Sequence, residues 1–213
     1  MSRSVPGNRL RGLYAITDPQ LTPGETLLPA VEQAILGGAR LLQYRNKSAS
    51  PAQRRREASA LLELCRRHQV PLLVNDDVSL CQEIGADGVH LGQQDGALSH
   101  ARQILGPDAI IGISCHNQLD HALRARDGGA NYVAMGRFFA SRTKPTAPSA
   151  EIADLRQVRS RLELPIVAIG GVNAENGASL IEAGADMLAV IHHLFAAEDI
   201  RARAAAIQKL FQR

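Results

Sequence analysis

Eight short apolar runs alternate with helix-forming segments along this chain, and that alternation leaves few architectures open. The runs are Gly12–Thr17, Leu41–Tyr44, Leu72–Asn75, Gly88–His90, Ile110–Ser114, Tyr132–Met135, Ile166–Ile169 and Met187–Ile191. Between them lie segments such as Ala52–Arg67, with Leu61, Leu62 and Cys65 on one face, and Asp199–Phe211, rich in Ala and Ile. An internal repeat supports the pattern. Gly38-Ala39-Arg40, Gly85-Ala86-Asp87, Gly129-Ala130-Asn131 and Gly184-Ala185-Asp186 each precede a strand, so the repeat recurs after 47, 44 and 55 residues. Each interval holds two strand–helix units. Gly suits the left-handed residue that closes a helix, and Ala lets the next strand begin close to the packed layer. Eight such units in about 200 residues predict a single compact (β/α)8 TIM barrel. A doubly wound open sheet is the structural rival, but no GxGxxG follows the first strand, which weakens its dinucleotide-binding form.

The chain has 213 residues, 45% of them hydrophobic, and no shift in composition marks a second domain. We therefore expect an N-terminal tail over residues 1–9 and one catalytic barrel domain over residues 10–213. Trp is absent and aromatics make up 3%, so the core must be aliphatic; Ala, Leu, Ile, Val and 18 Gly fit a parallel sheet covered by helices. A formal charge of +3 with so few stacking aromatics gives no reason to expect a nucleic-acid partner. Cys65, Cys81 and Cys115 form no CxxC pair and read as buried reduced thiols of a cytoplasmic protein. Residues 1–7 lack an apolar signal core, and no apolar run approaches the roughly 20 residues a membrane span requires. A homo-oligomer is compatible with all of this.

On the barrel reading, the conspicuous polar groups fall at or just past strand C-terminal ends, the rim where TIM barrels carry their sites. In Gln43-Tyr44-Arg45-Asn46-Lys47, an extended backbone sends Gln43, Arg45 and Lys47 to one side. Arg offers a planar fork and Lys a mobile charge for phosphate oxygens; the alternative is a solvated strand-to-loop segment. Asn75-Asp76-Asp77 ends the third strand. Asp77, closer to the helix starting near Val78, is the better N-cap, which leaves Asp76 as a metal ligand. Asp95 either joins Asp76 at the metal or opens the helix Gly96–Leu105. Two carboxylates backed by an amide suit a hard divalent cation shared with a phosphorylated ligand. Ser141-Arg142-Thr143-Lys144 puts hydroxyls and cations in a loop; it is either a surface loop or one that closes over charged substrates. Ala168-Ile169-Gly170-Gly171 runs a strand into paired Gly, whose backbone can approach a phosphate closely, or simply make a turn. His192 and His193 end the eighth strand, where a rim His is commonly a structural hydrogen-bonder. Cys115 between Ser114 and His116 does not establish a catalytic dyad, and Arg54-Arg55-Arg56 reads as an exposed helix face.

Together these segments resemble the thiamine phosphate synthase (thiamine-phosphate pyrophosphorylase) family. The match runs from Gly12-Leu13-Tyr14-Ala15-Ile16-Thr17-Asp18 to Ala185–Ile191. It is carried by QxRxK at Gln43–Lys47, NDD at Asn75–Asp77, HLGQxD at His90–Asp95, Thr143-Lys144, and Ile169-Gly170-Gly171. The resemblance implies a Mg2+-dependent transferase that joins a thiazole phosphate, with or without a carboxylate, to a hydroxymethylpyrimidine diphosphate and expels diphosphate. It implies that Gln43, Arg45, Lys47, Asn75, Ser114 and Lys144 hold the pyrimidine diphosphate, and that Asp76 and Asp95 hold magnesium. Ser141, Thr143, Gly171, Ile191 and His192 are then expected at the thiazole phosphate. Arg45, Ser114 and Lys144 are expected to carry catalysis, since neutralising a departing diphosphate matters more here than a strong base. The chain departs from the family pattern at Ser141 (commonly Thr), at Arg137 (often Pro) and at Ile191-His192 (commonly Val-Ser). Rival readings are a thiazole tautomerase-like isomerase, another phosphate-binding barrel enzyme, and a non-catalytic ligand sensor.

Overall fold

The computed structural model describes residues 10–93, 98–140 and 148–212. Within them, eight parallel strands close into a barrel in sequence order: β1 (Gly12–Ile16), β2 (Leu41–Tyr44), β3 (Leu72–Asn75), β4 (Gly88–Leu91), β5 (Ile110–His116), β6 (Tyr132–Met135), β7 (Ile166–Ile169) and β8 (Met187–Val190). β8 pairs back onto β1, with Leu13 opposite Leu188, which closes the ring. The surrounding helices are α1 (Leu27–Leu36), α2 (Pro51–Arg67), α3 (Val78–Ile84), α4 (Leu98–Leu105), α5 (Leu119–Asp127), α6 (Ile152–Arg159), α7 (Gly177–Glu182), the short α8 (His192–Phe195) and α9 (Ile200–Lys209). This is the (β/α)8 barrel expected from the alternation. No helix among the described residues is long and apolar enough to cross a membrane.

The strands are buried on both faces, so their sequences carry no polar alternation. One cluster, including Tyr14, Leu41, Leu73, Ile110, Tyr132, Val167 and Met187, fills the barrel interior. The opposite strand faces pack with the helices, as in Leu42, Val74 and Leu188 against Leu61, Leu62 and Leu180.

The Gly-Ala repeat is one device used four times. Gly38, Gly85, Gly129 and Gly184 all have positive φ (106°, 69°, 86° and 111°). After each, the Ala N–H reaches back to close the helix: Ala39 to the Ala34 carbonyl, Ala86 to Cys81, Ala130 to Ala125 and Ala185 to Leu180, at 2.9–3.0 Å. These are Schellman caps, which an L side chain at the Gly position would strain. The third residue of the repeat then ties the barrel's N-terminal end. Asp87 accepts from the Leu72 N–H at 2.9 Å, Asn131 from Ile111 at 2.8 Å and Asp186 from Ile166 at 2.9 Å. Arg40 has no such acceptor. There Gln208 of α9 supplies it, accepting from the Leu13 N–H at 2.8 Å.

Strands β1, β4, β5 and β8 end one or two residues from where the apolar runs do. Strand β8 stops at Val190, because Ile191 (φ −116°, ψ −85°) leaves the extended region and His192–Phe195 form a helix, so the His pair does not sit on a strand. Helix α4 is described from Leu98; Asp95 and its proposed capping role lie outside the described residues. Arg54 of the basic triplet is half-buried and paired with Asp77 at 3.2 Å, because α2 packs beside α3; Arg55 and Arg56 are exposed as expected. The 1–9 tail also lies outside the described residues.

Candidate active site

The C-terminal ends of the strands surround one cavity of about 390 Å³. Gln43, Arg45, Lys47, Asn75, Asp76 and Ser114 line one side of it. Gly171, Ile191 and His192 line the other. Every described residue expected at the site is therefore at this one opening. Asp95, Ser141, Thr143 and Lys144 lie outside the described residues.

Local structure explains each position. Strand β2 ends at Tyr44, so Gln43 points into the barrel, 2% exposed, while Arg45 stands on the rim. Thr17, at the end of β1, accepts from the Arg45 N–H at 2.9 Å. Asn46 then folds the chain, its side chain accepting from the N–H of Ser48 (3.3 Å) and Ala49 (3.1 Å). This loop is fastened to α2 by Glu57, which accepts from Tyr44 Oη at 2.7 Å, Asn46 Nδ2 at 3.0 Å and Gln53 Nε2 at 2.7 Å. Burial alone would raise the Glu57 carboxyl, but those three donors hold it below its ordinary value.

Asp77 caps α3 by accepting from the Leu80 N–H at 2.9 Å, which releases Asp76 to the cavity as the sequence predicted. Asp76 sits at φ 62°, a left-handed conformation Asp tolerates, and its N–H still bonds the His90 carbonyl at 3.0 Å. Its carboxylate takes Lys47 Nζ at 2.8 Å and Asn75 Nδ2 at 2.6 Å. The group is thus already satisfied by a cation, and oxygen donors of this kind suit a hard divalent ion. Among the described residues, no group of three or more His, Cys, Asp or Glu could hold a metal.

Strand β5 carries a register irregularity between Ser114 and His116, with His116 at φ 54°. Such a bulge re-aims side chains at a barrel rim. Ser114 Oγ lies 2.9 Å from His90 Nε2, and the Ser114 carbonyl accepts from Gln93 Nε2 at 2.5 Å. Cys115 points the other way, fully buried, and burial pushes its thiol up to about 12. It is no nucleophile at neutral pH.

Across the opening, Gly170 and Gly171 have φ of 100° and 65°. A Cβ on Gly171 would overlap the Ala140 carbonyl, so both conformation and packing require Gly. The Phe139 N–H donates to the Gly170 carbonyl at 2.9 Å, fixing this turn to the segment that leads into residues 141–147. His192 and His193 stand edge to face, ring centres 6.1 Å apart.

The sequence reading missed Tyr14, Arg203 and Tyr132. Tyr14 and Arg203 line the cavity, and Tyr132 lies directly beneath it. Two of the three Tyr residues in an aromatic-poor chain, both inside strands, were the available signal; Arg203 lies in the Ala-rich segment Asp199–Phe211 with no motif around it.

The sequence profile described as thiamine monophosphate synthase matches residues 13–194. Thiamine-phosphate synthase of Alcanivorax borkumensis is 54% identical over 206 residues, covering 97% of this chain and 95% of that protein. The Nitrosococcus oceani thiamine-phosphate synthase is 53% identical over 202 residues, covering 95% and 93%. Among solved structures, thiamine phosphate pyrophosphorylase from Pyrococcus furiosus superposes with a TM-score of 0.88 at 32% identity, covering 96% of both chains. The chain belongs to the thiamine monophosphate synthase family.

Proposed function

We propose that this chain is a transferase of thiamine biosynthesis that condenses 4-amino-2-methyl-5-hydroxymethylpyrimidine diphosphate with a thiazole phosphate to give thiamine monophosphate and diphosphate. One observation carries the reading. Residues from five separated segments, chosen by their chemistry, line a single cavity with cationic and carboxylate groups on one wall and a Gly-Gly turn on the other. Family membership at 54% identity over nearly the whole chain supports it. One catalytic domain over residues 10–213 suffices for this, and three buried free thiols fit a reducing cytoplasm.

On this reading Gln43, Asn75 and Ser114 hold the pyrimidine, and Arg45 and Lys47 meet its diphosphate. Asp76, together with Asp95, would hold Mg2+. When bound, the ion supplies positive charge to the diphosphate oxygens. The Asp76 carboxylate fits that role because it already binds a cation, the Lys47 ammonium. Lys47 is 54% exposed and can turn from Asp76 to the diphosphate. The bond between the pyrimidine methylene and the diphosphate oxygen breaks first, its electron pair leaving with the diphosphate. The aminopyrimidine ring stabilises the resulting cation. The thiazole nitrogen lone pair then forms the new C–N bond, so no strong base is required. Arg45, Lys47 and Lys144 stabilise the leaving charge, and Ser141 and Thr143, with the backbone at Gly171 and Ile191-His192, take the thiazole phosphate. Mixing the two phosphorylated heterocycles with the protein, with and without Mg2+, tests this: thiamine monophosphate and diphosphate should appear in equal amounts only with the ion. Isomerisation of the thiazole without diphosphate release would instead support the tautomerase reading.

A further inference from the structure

From Gln43 to Ser114 runs a continuous line of polar side chains whose middle members, Tyr14, Tyr132 and His90, the chemistry above does not use. Gln43 Nε2 donates to Tyr14 Oη at 2.5 Å. Tyr14 Oη lies 2.9 Å from Tyr132 Oη, which lies 2.8 Å from His90 Nδ1. His90 Nε2 then meets Ser114 Oγ at 2.9 Å. Tyr14, Gln43, Tyr132 and His90 are all buried. The His90 ring stacks on Tyr132 at 5.6 Å, and Gly112 leaves the room that the Tyr132 ring occupies. Burial pushes both phenols far above their ordinary range, so each keeps its one proton to donate.

With Gln43 Nε2 as the donor to Tyr14, that proton count sets the direction of the line. Tyr14 accepts from Gln43, so its proton goes to Tyr132. The Tyr132 proton goes to His90 Nδ1, which must carry a lone pair. A neutral imidazole then has its proton on Nε2 and gives it to Ser114 Oγ. Ser114 is left with its hydroxyl proton to donate into the cavity, and Gln43 is left with Oε1 to accept from it. Turning the Gln43 amide over would reverse every bond in the line and move the imidazole proton to Nδ1.

We propose that Tyr14, Tyr132 and His90 are positioning residues, a one-way hydrogen-bond line that locks the Gln43 amide and the Ser114 hydroxyl and so makes the cavity select an aminopyrimidine over its oxo counterpart. The selectivity rests on the pyrimidine reading above. An exocyclic amine donates N–H and leaves the adjacent ring nitrogen an acceptor. The oxo compound inverts both, and its carbonyl would face Gln43 Oε1 lone pair to lone pair. An unlinked Gln would turn over to suit either. Here it can turn only if Tyr14, Tyr132 and His90 all turn with it.

Two measurements decide. Long-range proton–nitrogen NMR of the imidazoles reports the His90 tautomer directly. The chain has seven His, and replacing the other six singly identifies the signal. The expected form carries its proton on Nε2; a proton on Nδ1 overturns the proposal. Second, kcat/KM for the aminopyrimidine diphosphate is divided by that for the oxo analogue. Tyr132→Phe should lower this ratio about tenfold, the size of one hydrogen bond, and should mix the His90 tautomers. An unchanged ratio in a folded Tyr132→Phe protein also overturns it. If that variant does not fold, the wild-type tautomer still decides. No turnover with either pyrimidine overturns the functional reading, and with it the selectivity, while the tautomer reports on the line independently.

Discussion

Replacing Asp76 by Asn separates chemistry from stability at the proposed metal ligand. Asn keeps an oxygen for the 2.6 Å bond from Asn75 and tolerates the 62° φ, so the backbone should hold its course. The lost ion pair is with Lys47 at 2.8 Å, whose side chain is 54% exposed, so screening by water limits the cost to about 0–1 kcal/mol. For a chain of this length that lowers Tm by less than about 4 °C. The rate should suffer far more. Removing one preorganised charge that meets developing charge costs about 100-fold or more, at least about 2.7 kcal/mol. Asp76→Ala should show the same rate loss plus about 1–2 kcal/mol of instability from forcing Ala into a left-handed conformation. The assay is diphosphate release against Mg2+ concentration, with thermal melts on the same samples. Normal turnover in Asp76→Asn, at ordinary Mg2+, would refute the ligand role.

Three further outcomes follow from the same geometry. His192→Ser should change the KM for thiazole phosphate only modestly, because the backbone N–H remains; a total loss of turnover would revive an acid–base role for the imidazole. Asp186→Ala removes the acceptor for the Ile166 N–H at 2.9 Å and the Arg159 partner at 3.0 Å. Leaving that N–H unpaired should cost about 1–3 kcal/mol in denaturant melts with kcat/KM unchanged; an unchanged melt would count against the tie. Burial pushes the thiols of Cys65, Cys81 and Cys115 up to about 12, so they stay protonated and unreactive toward iodoacetamide at pH 7–9 while the chain is folded. Mass spectrometry should find alkylation only on unfolding, and labelling of native Cys115 would contradict its burial.

The barrel was legible because its signals are local. Strands β2, β3, β6 and β7 begin and end where the apolar runs do, since both faces are buried and the runs stop at the first rim residue. The Gly-Ala repeat marked helix ends because a left-handed cap restricts which residue fits. Asp77 as cap and Asp76 as the carboxylate facing the cavity followed from distance to the helix start. What stayed hidden depends on contacts distant in sequence. Nothing at Tyr14 or Tyr132 announces that their hydroxyls meet across 118 residues. Gln208 standing in for a missing acceptor at Arg40 is visible only once the first strand and last helix are adjacent. Strand β8 gave way early at Ile191, where an apolar residue continues the pattern but the backbone turns into α8.

Gln208 has a mechanical consequence. Three of the four ties at the barrel's base are made by the residue just before the neighbouring strand, but the fourth is a bracket from the last long helix across the seam where the ring shuts. The chain's first strand cannot be fully anchored until its final turns have arrived. Loosening that bracket should open the molecule along the β1–β8 edge before any other, leaving the catalytic rim on the far side of the ring as the last part to feel the damage.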